Sequence, residues 1–549
     1  MVDFMGGNKL MTGKERVLKA MRCEKVDRVP WVPFVGCHGG SLINASASDY
    51  LKSEDKIIAG LQQAIKLYKP DGISVMFDLQ IEAEILGCEL MWADDNPPAV
   101  CTHPLNEGKK IADLKIPGPG DGRIKAVINV IQKIKKSNPE VAIYGLITGP
   151  FTLALHLAGT ELFMKMFDDP GFVHDLMKFC RDVSMAISDY YVEAGADIIA
   201  VVDPMTSQIG PDDFRRFISP YLTTVFQQIR EGGTLGSLFV CGHAQQNIEA
   251  MSECKPDNIS VDENIGLDFV RDICLKKKIS FGGNLQLTTT LLLGTVEDVQ
   301  QNVVHCLEAG GERGFILAPG CDLPYSTPVE NLQAVIPIIT DPYQLEIIKT
   351  MEMTKTAKEL LDMGEYGKMD KVIVDIVTLD SESCAPCQYM VESVKAVAPE
   401  FEGIVEWREH KIKDPDSLTF VTSLMVRNIP TICIDGQITF VSKIPPRDEL
   451  IAVIQKRINE KMKLRIRENR GTIYILGCGN EDCDAVKLNV TRALKELGSD
   501  VQLNYIADES KFIDFGITLT PAIIIEKRTV KSMGTVPTVE VIKEWIKDM

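Results

Sequence analysis

The sequence predicts an α/β protein in which a closed (β/α)8 barrel, formed by the first 345 residues, is followed by two smaller α/β domains. Short apolar runs alternate with amphipathic helical stretches through the first part of the chain, and this alternation is typical of parallel sheets. Eight such runs occur, and eight strand–helix units predict a closed barrel. Beyond residue 370, one layout of strands, cysteines and helices occurs twice, which indicates an internal duplication.

The predicted barrel strands are short and apolar, and they end at polar or Gly-rich loops. They are Val29–Val35, Gly72–Met76, Ala142–Ile147, Ile198–Val202, Leu238–Cys241, Ile259–Val261, Ile279–Phe281 and Gly314–Ala318. Apolar residues at helical spacing occur in Ile57–Leu67, in Ile124–Ile134 and in Leu162–Tyr191, where we expect one or two helices. An open doubly wound sheet is the alternative, but no Gly-rich dinucleotide fingerprint follows the first strand.

The composition excludes several classes of function. The formal net charge of −18 over 549 residues disfavours binding to nucleic acid or to an anionic membrane. We find no apolar run of transmembrane length and no signal peptide. The 15 cysteines are odd in number and scattered, which predicts a reducing cytoplasm where thiols serve chemistry or packing.

The residues expected at the C-terminal ends of the strands, where active sites of such barrels lie, are rich in metal ligands and poor in Lys and Arg. They are Cys37-His38, Asp78, Thr148-Gly149-Pro150, Asp203-Pro204, Cys241-Gly242-His243, Asp262-Glu263-Asn264, Asn284 and Cys321-Asp322. Cys241 and Cys321 each follow their own strand and are far apart in the sequence. Together they indicate one site, assembled by the fold, for a soft metal or a reactive thiol.

Motifs in this part of the chain carry a family resemblance. They are Glu15–Pro33, Gly149–Ala154, Ile259–Glu263 and Ala318–Asp322 followed by Thr327-Pro328. The first resembles the opening of the uroporphyrinogen decarboxylase superfamily, and the others resemble its methylcobamide:coenzyme M methyltransferases and related corrinoid-dependent enzymes. The resemblance implies a TIM barrel that holds a zinc ion, which activates a thiol.

Two departures from the family pattern affect the expected chemistry. The decarboxylases of the superfamily carry an Arg-containing loop that binds propionate carboxylates, but Val32–Leu51 contains no Lys or Arg. The methyltransferases place His-x-Cys at the fifth strand, and here Phe239 stands at the His position before Cys241. Uroporphyrinogen decarboxylation is therefore disfavoured, and one expected zinc ligand is missing.

The resemblance implies a zinc site built from the remaining ligands. Cys241 and Cys321 match the two thiolates of the family, Glu263 can supply an oxygen, and His243 can replace the missing imidazole. In the alternative without a metal, a buried Cys acts as a small hydrophobe and Glu263 caps a helix or faces water. Cys37-His38 is a reserve ligand pair.

The first tail segment begins with the predicted strand Val372–Thr378, which leads into Cys384-Ala-Pro-Cys387 and a helix. Further along, Ile429-Pro430 precedes a hairpin that turns at Asp435-Gly436, and a helix over Asp448–Ile458 closes the segment. The second segment repeats this layout. Its counterparts are the strand Thr472–Leu476, the pair Cys478 and Cys483, Thr520-Pro521 and the helix Val539–Ile546.

Both segments resemble thioredoxin- or glutaredoxin-like domains. In such a domain Cys384 lies before a helix whose dipole stabilises its thiolate, and Cys387 resolves the mixed disulfide. The resemblance implies that Pro430 and Pro521 are cis prolines that hold a substrate strand. A zinc half-site is the alternative for Cys384 and Cys387, and the longer spacing of Cys478 and Cys483 leaves their redox role open. The predicted boundaries are 1–345 for the barrel, 346–369 for a helical linker, and 370–462 and 470–549 for the two domains.

The leading functional hypothesis is a cytoplasmic corrinoid-dependent methyltransferase fused to two redox domains. A zinc-activated thiol would take the methyl group from a methylated corrinoid held on a partner protein, with Asp203 and Tyr325 positioning the substrate. The tail would keep the zinc thiolates or the substrate thiol reduced, or would reduce a redox partner protein. The alternatives are a lyase acting on a tetrapyrrole-type acid and a non-catalytic barrel scaffold with a thiol–disulfide oxidoreductase tail. Whether the chain forms a homodimer is left open.

Overall fold

The computed structural model describes residues 11–350, 366, 371–382, 385–412, 414–424, 426, 429–469, 472–477, 479–512, 515, 517–525 and 529–547. The chain divides into two compact units, residues 1–450 and 451–549. No helix of the described residues is long and apolar enough to cross a membrane.

A curled parallel sheet of seven strands forms the centre of the first unit. The strands before residue 350 are β1 (Gly72–Val75), β2 (Leu90–Met91), β3 (Ala99–Val100), β4 (Ala142–Thr148), β5 (Ile198–Val202), β6 (Leu235–Val240), β7 (Asn258–Val261), β8 (Ser280–Leu285) and β9 (Phe315–Pro319). The sheet order is β1-β4-β5-β6-β7-β8-β9, and β2 and β3 form a separate antiparallel pair. Seven of the eight predicted strands are confirmed, with ends that shift by a few residues.

The remaining predicted strand, Val29–Val35, is not a regular strand, although it joins the two edges of the sheet. The amide of Val32 donates to the carbonyl of Leu317 in β9 at 3.0 Å, and the amide of Asp71, next to β1, donates to the carbonyl of Trp31 at 2.8 Å. Two prolines in this segment have no N–H to donate, which prevents a continuous ladder. The predicted barrel is therefore seven strands and one bridging segment.

Helices surround this sheet. They are Gly13–Met21, His38–Ser41, Ala47–Leu51, Glu54–Tyr68, Ile81–Ile85, Ile124–Ser137, Pro150–Ala158, Glu161–Asp168, Pro170–Ala194, Pro211–Phe217, Ser219–Glu231, Ile248–Glu253, Leu267–Lys276, Val296–Gly310, Val329–Gln333, Val335–Thr340 and Pro342–Thr350. The predicted stretch Leu162–Tyr191 is two helices, because Pro170 begins the second and Asp169 caps it by accepting from the amide of Phe172.

The first unit also contains a four-stranded sheet in the order β11-β10-β12-β13. Its strands are β10 (Val372–Thr378), β11 (Val405–Lys411), β12 (Thr431–Ile434) and β13 (Gln437–Val441), with helices Ala385–Val397 and Pro415–Ser423. β11 is parallel to β10, whereas β12 and β13 are antiparallel to their neighbours. The predicted hairpin at Asp435-Gly436 is confirmed, and both residues have positive φ.

The second unit contains the same arrangement. Its strands are β14 (Ile473–Leu476), β15 (Leu503–Ile506), β16 (Ala522–Ile525) and β17 (Thr529–Met533), with helices Glu481–Leu497 and Val539–Lys547. The order β15-β14-β16-β17 and the strand directions repeat those of the preceding sheet, which confirms the predicted duplication. The helix Arg447–Asn469 is longer than the predicted Asp448–Ile458, and most of the predicted linker 346–369 lies outside the described residues.

Candidate functional site

A cavity of about 130 Å³ lies at the C-terminal ends of the barrel strands. Residues that directly follow strands line it, among them Phe77 after β1, Cys241 after β6 and Cys321 after β9. Cys241 and Cys321 are both half-buried, and Cys37, which is fully buried, lines the same cavity. The fold thus brings three thiols from distant parts of the chain to one cavity.

Glu263 packs against Gly320, the residue before Cys321. Its Oε1 accepts from the amide of Leu287 at 3.1 Å, and its Oε2 is buried without a hydrogen-bond partner within the described residues. Gly320, the residue before Cys321, has no room for a side chain because a Cβ there would collide with Oε2 of Glu263. Burial, followed by the charge of Asp262, raises the pKa of Glu263. A buried oxygen without a partner is costly in a folded protein, and a bound cation would compensate that cost.

The predicted fourth ligand does not join this group. His243 is exposed and does not line the cavity. Phe239, at the position of the family's His, is buried and packs edge-on against Phe34 and Phe77, with ring centroids 5.2 and 5.7 Å apart. In the part of the chain that the structure describes, no three or more His, Cys, Asp or Glu residues are grouped so that they could hold a metal ion. Cys and Glu are residue types that bind Zn²⁺, but Cys241, Cys321 and Glu263 do not form a closed ligand group in this structure.

The two residues of the reserve ligand pair, Cys37 and His38, have different environments. Cys37 lines the cavity, and burial raises the pKa of its thiol. Both ring nitrogens of His38 are occupied, Nε2 by the hydroxyl of Tyr68 at 2.6 Å and Nδ1 by the carbonyl of Tyr325 at 3.0 Å. Burial lowers the pKa of His38 to about 4. His38 is therefore a packing residue rather than a ligand.

The two predicted substrate-positioning residues also differ. Tyr325 lines the cavity, and its hydroxyl donates to the carbonyl of Ala45 at 2.9 Å. Asp203 is fully buried and accepts from the amides of Phe151 and Thr152 at 3.1 and 2.8 Å, at the start of the helix Pro150–Ala158. Burial raises the pKa of Asp203 to about 6. The structure thus gives Asp203 a helix-capping role in place of substrate contact.

The cavity wall offers no complement to an anion. Asp95, Asp322 and Asp380 contribute to it, and none of the described residues that line it is Lys, Arg or His. Lys411 pairs with Asp380 at 2.8 Å, and burial raises the pKa of Asp322 well above its ordinary value. A site that disfavours ionisation of its own carboxyl group also disfavours binding of a substrate anion.

The tail contributes part of this wall, which the sequence did not predict. Leu379, Asp380, Ala385 and Pro386 line the cavity together with the barrel thiols. Ala385 and Pro386 are the two residues between the cysteines of the Cys384–Cys387 motif. No spacing or periodicity in the sequence could have revealed this, because it depends on how two domains pack.

The helix Ala385–Val397 is docked on the barrel by specific contacts. Tyr389 is fully buried, and its hydroxyl donates to the carbonyl of Leu155 at 3.3 Å. Gln388 donates through Nε2 to the carbonyl of Val100 at 2.6 Å. Elsewhere in the same domain, the amide of Ile444 donates to Oε1 of Gln208 at 3.1 Å. The first tail domain is therefore docked over the barrel site.

The predicted redox cysteines are only partly described. Cys387 is buried in the first turn of its helix, whereas Cys384 lies outside the described residues. Cys483 is buried, its amide donates to Oδ1 of Asn480 at 2.9 Å, and Cys478 lies outside the described residues. The bonds Ile429-Pro430 and Thr520-Pro521 are cis, as predicted.

Comparison with known proteins adds to this geometry. A uroporphyrinogen decarboxylase (URO-D) family model matches residues 12–341, and a thioredoxin domain model matches residues 472–547. The methylcobamide:CoM methyltransferase MtbA of Methanosarcina acetivorans is 29% identical over 332 residues, which cover 59% of this chain and 96% of that protein. The methylcobamide:CoM methyltransferase MtaA of Methanosarcina barkeri is 27% identical over 333 residues, which cover 59% of this chain and 96% of that protein.

More distant similarity extends to decarboxylases. A uroporphyrinogen decarboxylase of Nostoc punctiforme is 25% identical over 336 residues, covering 58% of this chain and 93% of that protein. Among solved structures, a methyltransferase from Methanosarcina mazei superposes with a TM-score of 0.56 at 25% identity, covering 61% of this chain and 99% of that one.

Proposed function

Because the chain belongs to the uroporphyrinogen decarboxylase (URO-D) family, we propose that it is a methyltransferase that moves a methyl group from a methylated corrinoid to a small thiol. The observation that carries this proposal is the cavity at the strand ends, which Cys241 and Cys321 both line. Relatives named methylcobamide:CoM methyltransferases match the barrel over 96% of their own length. The corrinoid would be carried by a partner protein, in a cytoplasm that keeps thiols reduced.

The chemistry of the side chains, rather than an assembled ligand group, supports a zinc ion held by Cys241, Cys321 and Glu263. The buried Oε2 of Glu263, which has no hydrogen-bond partner among the described residues, would be compensated by coordination to the cation. Three protein ligands with one open position are typical of catalytic zinc. The ion would lower the pKa of a bound acceptor thiol so that the thiolate is present near neutral pH. His243 is left out because it is exposed and outside the cavity.

The cavity also limits the acceptor. An apolar cavity of roughly 150 Å³ holds a benzene-sized molecule, so about 130 Å³ accommodates a thiol of about six non-hydrogen atoms. Leu287, Leu292 and Leu323 line it and exclude water from the reacting sulfur. The wall has no cation among the described residues, which favours an uncharged acceptor over an anionic one.

The same wall argues against a tetrapyrrole-type acid as substrate. Several carboxylates would need Arg or Lys partners, and none of the described lining residues is either. The scaffold alternative has one observation in its favour, since Phe239 replaces the family's His with a packed aromatic side chain. For the tail we propose thiol–disulfide exchange by Cys384 and Cys387, with Pro430 as the substrate-positioning residue, and a similar role for Cys478 and Cys483 with Pro521.

Metal content and methyl transfer test the proposal together. The native chain, purified anaerobically, is expected to carry about one zinc per chain and to methylate 2-mercaptoethanol from a methylated corrinoid. Cys241→Ala and Cys321→Ala should lose both zinc and activity. Cys101→Ala is the matched control, because Cys101 is exposed and does not line the cavity. Absence of zinc from the native chain would contradict the thiol-activation mechanism and favour the scaffold alternative.

A further inference from the structure

The barrel thiols and the two inner residues of the Cys384–Cys387 motif line one cavity. Cys241 and Cys321 line the cavity, and so do Ala385 and Pro386, the inner residues of the Cys384–Cys387 motif. Cys241 and Cys321 also pack against one apolar cluster inside the barrel. The inner residues of the motif thus lie at the cavity that the barrel thiols line.

The described residues on both sides of the motif are held by specific contacts. On the barrel side, Tyr389 and Gln388 anchor the helix that follows the motif. On the tail side, Glu409 accepts from the hydroxyls of Thr378 and Ser381 at 2.7 and 2.9 Å. Lys411 pairs with both Asp380 and Glu382 in the segment just before the motif. The strand end before the motif and the helix after it are therefore both fixed.

We propose that the reaction partner of the Cys384–Cys387 dithiol is the Cys241–Cys321 pair of the same chain. Oxidation of the barrel pair to a disulfide by an external peroxide, which accepts two electrons and is reduced to water, would remove both proposed zinc thiolates, and the tail dithiol restores them. The inference rests on the redox role proposed for the tail and on the thiol-activation site proposed for the barrel.

The exchange balances in two steps. The thiolate of Cys384 attacks one sulfur of the Cys241–Cys321 disulfide; a mixed disulfide forms, and the other barrel sulfur leaves as a thiolate and takes up a proton. The thiolate of Cys387 then attacks Cys384, which releases the second barrel thiol and leaves a Cys384–Cys387 disulfide. Two electrons pass from the tail to the barrel, and an external dithiol regenerates the tail.

Proximity favours this partner over a second molecule. Groups joined within one chain have effective concentrations of about millimolar, whereas a separate chain in an assay is present at about 10 μM. The intramolecular exchange is therefore expected to be roughly 100-fold faster than exchange between chains. The cavity volume of about 130 Å³ is also too small for a bulky external disulfide.

Trapping the mixed disulfide tests the proposal. The full-length Cys387→Ser variant lacks the resolving thiol, so Cys384 should remain linked to Cys241 or Cys321 after treatment with diamide. Disulfide-linked peptides are mapped by mass spectrometry after blocking with N-ethylmaleimide. We expect a barrel link about tenfold or more above any link to the exposed Cys101. Cys387→Ala repeats the measurement if the serine variant does not fold.

The controls separate the possible outcomes. Cys433→Ala removes another buried cysteine of the same domain and should leave the native disulfide map unchanged. Links of Cys384 only to Cys101 or to a second chain, or no link while the native chain forms Cys384–Cys387, would overturn the inference. Absence of the Cys384–Cys387 disulfide in the native chain would overturn it together with the redox role of the tail. A barrel link in a preparation that lacks methyl transfer would refute the proposed methyltransferase function alone.

Discussion

Gly320→Ala tests whether the carboxylate of Glu263 belongs to the site. A Cβ at residue 320 would collide with Oε2 of Glu263 and would lie 3.1 Å from the amide nitrogen of Glu263 and 3.2 Å from Cα of Asp262. The backbone contacts are tight but tolerable, so the flexible end of Glu263 is the part that must move. We therefore expect displacement of the carboxylate, with loss of the proposed zinc ion.

The magnitude follows from the same contacts. Overpacking of a dense region costs about 1–3 kcal/mol, and the movable carboxylate places Gly320→Ala near the lower end, at about 1 kcal/mol. Urea unfolding measures this change in the free energy of unfolding, and metal analysis measures zinc per chain. Gly210→Ala is the matched control, because nothing lies within 4 Å of a Cβ there and its φ is −79°. Full zinc content in Gly320→Ala, at native stability, would refute the placement of Glu263 in the metal site.

Three further predictions concern docking, the acceptor and pH. Tyr389→Ala should weaken the docking of the first tail domain by about 3–5 kcal/mol. Tyr389→Phe loses only the two long hydrogen bonds of the hydroxyl, with the carbonyl of Leu155 and with Nδ1 of His156, both at 3.3 Å, which together contribute about 1–2 kcal/mol. Hydrogen exchange of the helix Ala385–Val397 distinguishes the two variants, and equal protection in both variants and the native chain would contradict the docking. Uncharged 2-mercaptoethanol should exceed 2-mercaptoethanesulfonate at least about tenfold in kcat/KM, because the wall lacks a cation among the described residues, and a preference for the sulfonate would contradict this. Burial lowers the pKa of His38 from 6.5 to about 4, so its contribution to stability is complete above pH 6.5 and is lost as the pH falls towards 4. His38→Gln should therefore remove about 2 kcal/mol of the destabilisation between pH 6.5 and 5, measured by urea unfolding at each pH, and an unchanged slope would show that His38 is not buried as a neutral ring.

Periodicity in the sequence predicted the barrel well. A helix that buries one face needs apolar residues at helical spacing, and a fully buried strand needs a continuous apolar run, so both patterns are visible in a short stretch of sequence. The helix Ile124–Ser137 buries Ile124, Val127, Val130, Ile131 and Ile134 at the spacing that predicted it. The one predicted strand that the structure does not contain is Val29–Val35. It has an apolar pattern, but its two prolines have no N–H groups to donate to a neighbouring strand.

The candidate site was predictable only in part. Strand ends predicted that Cys241 and Cys321 would lie together, and both line one cavity, because the carboxyl ends of parallel strands meet on one face. The same rule proposed Glu263, whose role in the site stays a prediction. The same rule also selected Asp203 and His243, and it could not tell that the first caps a helix and the second faces solvent. The helix cap at Asp203 and the exposure of His243 depend on which groups lie next to each side chain after folding, and the sequence does not give these neighbours.

Residue spacing and residue type were enough to predict the alternation of strands and helices, the thiols after two strands, and the repeated layout of the tail. Each of these properties depends on residues that lie close together in the chain. Only the tertiary structure decided that Ala385 and Pro386 of the tail lie at the cavity of Cys241 and Cys321. This arrangement results from packing between elements that are far apart in the chain, through contacts such as that of Tyr389 with Leu155. No short-range sequence pattern predicts such contacts.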